Sequence, residues 1–472
     1  MSSRLILGLV LSVSTSSCAS IGEKRETATA DIAGLMRERT GFEPSALMPH
    51  DGSIAEPARQ LLAQPLTEEA AIRIALLNNR QVAAAFARLG VGVAELHQAG
   101  LLANPVLAAN AKFFGGGTEI ELGITESLLD VFFVGARKRV AEAEFEATRL
   151  HIAERMVGLV YDVRRAFVDI RAAVRLLEVE REVLRAAQAS VDLMAELHRA
   201  GNVTDPELTS EHLGLARAKL AVARAEAGLV EAREPLNELL GLWGDAVNWT
   251  VDAALADDPT EGLDLAHVES RAIQSSLMLA RVRSDATAGA RRLGLVGWEA
   301  VLDPGELGLA AKREVDGGDW GLGPALGFSL PIFDSGAARE AAVTAALEVS
   351  LAEHVAGAVR VRSAARRLRE RSAALADQAR FIRAEELPKS KRLVRETLRN
   401  YNAMQIGAFG VFVARQQEIE AMQNYVKTLR EAWTARIDLE ELLAGSYRES
   451  RVEAGANDLQ AASTPQGTNG NH

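Results

Sequence analysis

Residues 156–177 read MVGLVYDVRRAFVDIRAAVRLL. Met156, Val160, Val163, Phe167, Ile170, Val174 and Leu177 are separated by alternating steps of four and three. Leu184 and Val191 continue the series in steps of seven. That spacing keeps one narrow apolar seam on a helix and predicts coiled-coil packing. The stretch around it, Arg137 to Ala200, holds no proline and only one glycine, Gly158. At about 1.5 Å per residue it spans roughly 100 Å, a rod that no compact catalytic domain needs. Gly201 to Pro206 (GNVTDP) breaks the rod, Thr204 or Asp205 caps a second long helix, and that helix returns to Leu240-Gly241.

Upstream of the rod the period changes. After Asn104-Pro105, Leu107, Ala109, Ala111 and Phe113 alternate with Ala108, Asn110 and Lys112. The run Gly115-Gly116-Gly117 is a turn signal. Beyond it Ile120, Leu122 and Ile124 lie on one face, Glu119, Glu121 and Thr125 on the other. This is a β-hairpin with one apolar and one polar face. The pattern recurs at Trp320 to Ile332. The even positions Trp320, Leu322, Pro324, Leu326, Phe328, Leu330 and Ile332 are large, and the odd ones are Gly321, Gly323, Ala325, Gly327, Ser329 and Pro331. Such a strand fits a barrel wall with a crowded or wet interior, so Leu326, Phe328 and Leu330 are expected to face lipid.

The two patterns belong to an internal duplication. Gly123-Ile124-Thr125 matches Gly327-Phe328-Ser329, Gly201-Asn202-Val203 matches Met404-Gln405-Ile406, and Leu239-Leu240 matches Leu442-Leu443, each at an offset of about 203. The fold class expected is mixed α and β: a duplicated helix, β-hairpin and long helical hairpin. The first repeat covers 65–245, with strands at about 104–128 and long helices at about 135–200 and 205–241. A helix from Thr67 through Leu89 opens it. The second repeat covers 262–445, with a helix from Leu265 to Arg292, strands at about 294–333 and long helices at about 337–398 and 408–443. Pro388 is expected to bend the first of those long helices. Residues 446–472 read as a disordered polar tail.

At the N-terminus Arg4, the apolar run Leu5 to Val13 and the small residues Ser14 to Ser17 form a secretory signal over 1–17. It is followed by Cys18, the sole cysteine of the chain. The arrangement resembles a bacterial lipoprotein signal, whose cysteine becomes the lipidated first residue, although Thr15 stands where the lipobox usually has leucine. Residues 18–64 read as a lipid anchor and an extended linker containing short helical pieces.

Composition limits function. Of 472 residues, 48% are hydrophobic and only 5% aromatic, which favours long helices. The formal charge of −11 argues against general nucleic-acid binding. No apolar run of transmembrane length follows the signal, so any passage through a membrane is expected to be by strands. The eight histidines show no metal-ligand spacing, and neither GxSxG nor a Walker loop occurs. Gly321, Gly323 and Gly327 miss the dinucleotide spacing. No catalytic residue, metal or cofactor is assigned, and the chain is not expected to be an enzyme.

Taken with Leu66-Thr67-Glu68-Glu69-Ala70, Ala75-Leu76, Asn78-Asn79, Asn104-Pro105 and Leu330-Pro331-Ile332-Phe333-Asp334-Ser335-Gly336 with Arg339, this frame resembles the TolC-like outer-membrane efflux proteins over about residues 65 to 445. The resemblance implies a homotrimer in which each subunit gives four strands to a twelve-stranded barrel in outer-membrane lipid. The long helices would continue as a periplasmic tube that meets an adaptor protein and a proton-driven inner-membrane pump. The helical-hairpin tips (Gly201, Val203 and Thr204; Ala403, Met404, Ile406 and Gly407) would contact the adaptor. Family members close the tube with acidic rings past the second tip. The matching positions here are Gly410 and Val413, so the candidate gate is Phe409 and Phe412, flanked by Glu207. Tyr401 to Phe409 resembles a branch associated with heavy-metal export. The alternative is a periplasmic coiled-coil scaffold lipoprotein without a channel.

Overall fold

The computed structural model describes residues 2–44, 54–114, 117–251, 255–302, 305–314, 319–327 and 332–448. In chain order the elements are α1 (Ser2–Thr40), α2 (Glu56–Leu62), α3 (Glu68–Asn78), α4 (Arg80–Ala99), β1 (Val106–Phe114), β2 (Gly117–Ser127), α5 (Leu128–Arg199) and α6 (Asp205–Leu240). They continue with α7 (Val268–Ser275), α8 (Leu277–Leu302), β3 (Glu306–Glu314), β4 (Gly321–Gly327), α9 (Ala337–Phe381), α10 (Leu387–Asn402) and α11 (Ala408–Ala444). The chain divides into two compact units. One holds residues 1–34, 84–153 and 277–359; the other holds 35–83, 154–276 and 360–472.

The first unit contains one antiparallel sheet in the order β1-β2-β3-β4. Its register pairs Leu107 with Ile124, Ala109 with Leu122, Ile124 with Leu309, and Leu307 with Leu326. The helices of this unit bury Ile32, Leu89, Val93, Val140, Leu295 and Val296. Gly92 admits Phe145, whose ring stands 3.1 Å from where a Cβ on Gly92 would sit.

In the second unit the seam reads out directly: Met156, Val160, Val163, Phe167, Ile170, Leu177 and Val191 are buried. Asn78 and Asn79 tie α3 to the end of α6. Asn78 Nδ2 donates to the carbonyls of Leu240 (3.0 Å) and Gly241 (2.8 Å), and Asn79 Nδ2 to that of Leu239 (2.8 Å). These carbonyls have no partner inside the helix, so the two asparagines complete its C-terminus. Arg165 binds Asp162 (2.6 Å), Asp438 (2.9 Å) and Glu441 (2.7 Å), which fixes α5 to α11.

The structure departs from the sequence reading in several places. Residues up to Thr40 form one helix rather than an extended linker, because Ala28, Ile32 and Met36 recur every fourth residue and all three are buried. The helix beginning at Thr67 stops at Asn78, where Asn79 turns extended to reach Leu239. The helix expected from Leu265 to Arg292 is two, parted at Ser276. The second of these runs on to Leu302, so the second hairpin begins at Glu306 and not near 294. Pro388 is accommodated by a π turn at Ile382–Glu386, where the Leu387 N–H bonds back to the Ile382 carbonyl. One window within Ala337–Asn402 is, by length and composition, apolar enough to cross a membrane, which the sequence reading did not find; almost none of it is buried. The expected tail lies outside the described residues from 449 onward.

Candidate functional sites: a two-faced sheet and two helical tips

The alternation of the strands becomes two faces once the register is fixed. One face carries Leu107, Phe113, Ile120, Leu122, Ile124, Leu307, Leu309, Leu322 and Leu326, and every one of these is exposed in the single chain. The opposite face carries Lys112, Glu119, Glu121 and Lys312 among Gly123, Gly308, Ala310, Gly323 and Ala325. Lys112 Nζ lies 3.7 Å from Glu119 and 3.6 Å from Glu121, and Lys312 Nζ lies 2.8 Å from Glu119. The charges thus neutralise one another across three strands on a face otherwise built of small residues. Sequence reasoning named the two glutamates and missed Lys312 as their partner. The signal was there: Lys312 follows the apolar parity of Leu307, Leu309 and Ala311 by one residue. Leu326 is 62% exposed on the apolar face; Phe328 and Leu330, expected beside it, lie outside the described residues, as does the side chain of Cys18.

Among the described residues β1 and β4 each pair on one edge only. An unpaired edge cannot remain in hydrocarbon, and four strands enclose nothing.

The two helical tips share one backbone solution. In the first, Gly201 takes φ +76°, the Gly201 N–H bonds to the His198 carbonyl (2.9 Å), and the Asn202 N–H bonds to that of Leu197 (2.9 Å). In the second, Met404 takes φ +57°, its N–H bonds to the Tyr401 carbonyl (2.9 Å), and the Gln405 N–H bonds to that of Asn400 (3.0 Å). Both are helix ends closed by a left-handed residue. Gly407, named with the second tip, precedes α11 with ordinary φ −79°, and Met404 holds the left-handed place. Thr204 and Ala403 are exposed, Met404 is 95% exposed, and Ile406 is half-buried with its Cδ1 3.3 Å from where a Cβ on Gly410 would sit. Val203, expected to be a contact residue, is buried, and its carbonyl meets His198 Nδ1 at 2.9 Å.

Glu207 Oε2 accepts from the Thr204 N–H (2.9 Å) and from the Thr204 hydroxyl (2.9 Å). These two donors hold its carboxyl below the usual carboxylate range. The residue therefore caps α6. Phe409 is 76% exposed. Phe412 is half-buried, its ring 3.8 Å from where a Cβ on Gly214 of α6 would sit. Among the described residues no group of three or more His, Cys, Asp or Glu is placed to hold a metal ion.

A model of the outer-membrane efflux protein family matches residues 71–242. The cobalt-zinc-cadmium resistance protein CzcC of Cupriavidus metallidurans is 25% identical over 281 residues, which are 58% of this chain and 64% of that protein. The match thus spans less than two thirds of the relative's length. The Vibrio cholerae outer-membrane protein VceC superposes with a TM-score of 0.68 at 14% identity, over 81% of this chain and 97% of that one. The Campylobacter jejuni CmeC outer-membrane channel superposes with a TM-score of 0.65 at 14% identity, over 83% and 88%. The duplicated architecture, the matched segment and these folds agree: over residues 71–242 the chain is similar to the outer-membrane efflux proteins, and its fold is that of the TolC-like outer-membrane channels.

Proposed function

We propose that three copies of the chain form a passive export duct through the outer membrane. The observation that carries this reading is the open, two-faced sheet. Three such sheets joined edge to edge make a twelve-stranded barrel, with the Leu107, Ile124, Leu309 and Leu326 face toward lipid and the Lys112, Glu119 and Lys312 face toward water. Closure pairs the edges of β1 and β4, as a strand in hydrocarbon requires. The exposed Val349, Leu351, Val355 and Val359 of α9 also need cover, and a neighbouring subunit of the tube supplies it.

The tips are the docking surface for a periplasmic adaptor, which links the duct to a proton-driven pump in the inner membrane. Cys18 carries the lipid that anchors the mature chain. Phe409, the more exposed of the two tip phenylalanines, closes the tube at rest by an apolar, dewetting constriction. The name of the relative CzcC makes divalent transition-metal cations the first cargo to try, with drugs beside them.

Extraction in detergent should give a trimer that dissociates only on heating and conducts ions in planar bilayers. A detergent-independent monomer without conductance would establish the scaffold reading instead. Mass spectrometry of the mature N-terminus should find acyl chains on Cys18. Deleting the gene should sensitise cells to cobalt, zinc or cadmium if the cargo is metal.

A further inference from the structure

Aromatic and basic side chains are stacked at two levels where the strands meet the helices. The register places Val106, Ser127, Glu306 and Gly327 at the same end of the sheet. At that end Phe132 is 68% exposed, Trp298 is 56% exposed, and Phe333, six residues beyond Gly327, is fully exposed. The rings of Phe133 and Trp298 sit 6.0 Å apart, so α5 and α8 bring their aromatics to one level. Six and seven residues away along the same helices a second contact defines another level: Arg291 Nη1 donates to the Arg139 carbonyl. At 1.5 Å per residue the two levels are roughly 10 Å apart.

The second level is positive. Lys138, Arg139, Arg291 and Arg292 stand there against Glu142 and Glu144, of which Glu144 binds Arg292 at 2.5 Å. Lys138 and Arg139 are exposed and have no acidic partner among the described residues. This local excess of cations lies on a chain whose formal charge is −11. At membrane surfaces aromatic side chains favour the interfacial layer and lysine and arginine favour the phosphates beyond it. The aromatic level is also continuous with the exposed apolar face of the sheet.

We propose that this two-level girdle binds the headgroups of anionic phospholipid, with Phe132, Phe133 and Trp298 in the interfacial layer and Lys138, Arg139 and Arg291 on the phosphates. It sets the depth of the barrel in its bilayer, and it rests on the barrel reading above. The purified trimer, reconstituted into vesicles of phosphatidylethanolamine alone or mixed with phosphatidylglycerol, tests it. Native mass spectrometry should show phosphatidylglycerol retained over phosphatidylethanolamine. Lys138→Gln with Arg139→Gln should lower that preference by roughly fivefold per cation removed, with trimer and vesicle insertion unchanged. Lipid brominated near its carbonyls should quench tryptophan emission, and Trp298→Phe should remove part of that quenching. An unchanged lipid preference in the double variant, or quenching indifferent to Trp298→Phe, would overturn the proposal and leave the rings packed against a neighbouring subunit. A wild-type protein that floats with neither vesicle would overturn the barrel reading as well.

Discussion

Gly308 is the tightest point of the sheet, and replacing it should break the barrel. A Cβ at this position would stand 2.1 Å from the Ile124 carbonyl oxygen and 2.7 Å from Thr125 Cγ2. The first neighbour is backbone and cannot swing aside. Ordinary contact begins at 3.4 Å, so β3 would have to withdraw from β2 by about 1.3 Å, the difference between 3.4 and 2.1. Strands sit about 4.8 Å apart, and such a shift breaks the local ladder bonds around the Thr125–Gly308 pair. With two bonds lost, four backbone groups are left unpaired, and at about 1–3 kcal/mol each Gly308→Ala costs about 4–12 kcal/mol per subunit, which the trimer bears three times. The backbone dihedrals do not require glycine, since Gly308 has no positive φ. The control is Gly323→Ala on the same face of β4, where nothing lies within 4 Å of the added carbon. The assay is the yield of heat-modifiable trimer in outer membranes, together with its dissociation temperature. Gly308→Ala should abolish or strongly reduce the trimer while Gly323→Ala leaves it intact. Equal yields from the two variants would refute the packing argument.

Leu326→Arg should hinder membrane insertion by about 2–4 kcal/mol near the bilayer midplane, whereas Gly327→Arg on the polar parity should be milder; equal tolerance in an insertion assay would count against the register. Phe409→Ala should raise resting single-channel conductance without loss of trimer, whereas Phe412→Ala should act mainly on helix packing at Gly214; the reverse order would move the gate to Phe412. The Glu207 carboxyl is held low, so its contribution to the first tip is complete above its unfolded value near 4.5 and is lost as pH falls through the lower folded value. Amide hydrogen exchange at the tip should therefore lose protection in acid for the wild type, and Glu207→Ala should already lack it at neutral pH. Met404→Gly should stabilise the second tip by about 1 kcal/mol by relieving the left-handed strain, and should weaken capture of the adaptor; stronger or equal capture would separate the tip from docking.

The seam from Met156 to Leu177 was legible because helical spacing alone sets which side chains are buried. The hairpin faces were legible for the same reason at period two. What escaped depends on distant partners. Lys112 is an ordinary strand lysine until the register brings it against Glu119 and Glu121, and Lys312 until it meets Glu119 from the other side. Trp298 has no meaning as an interfacial ring until α5 carries Phe133 to it. Asn79 looked like the middle of a helix because nothing local announces that its side chain is needed at Leu239. The stop near 294 was misjudged for the opposite reason. Gly294 and Gly297 weaken a helix without ending it, and Leu295 and Val296 are buried, so packing holds the chain helical to Leu302.

The divergence between the two tips bears on which of them is working. At equivalent places in the duplication stand Gly201 and Met404, both left-handed. Glycine holds that conformation without strain, whereas a residue with a Cβ is disfavoured by about 1–2 kcal/mol. Met404 gains nothing from burial to offset this, since it is 95% exposed. The first tip, by contrast, is relaxed: glycine at the turn, Val203 buried behind it, and Glu207 closing the next helix on Thr204. Left-handed residues other than glycine cluster at ligand clamps and switch regions. Under the docking proposal, the exposed left-handed Met404 makes the second tip the one to test first for the partner contact, while Glu207 and Val203 hold the first hairpin closed.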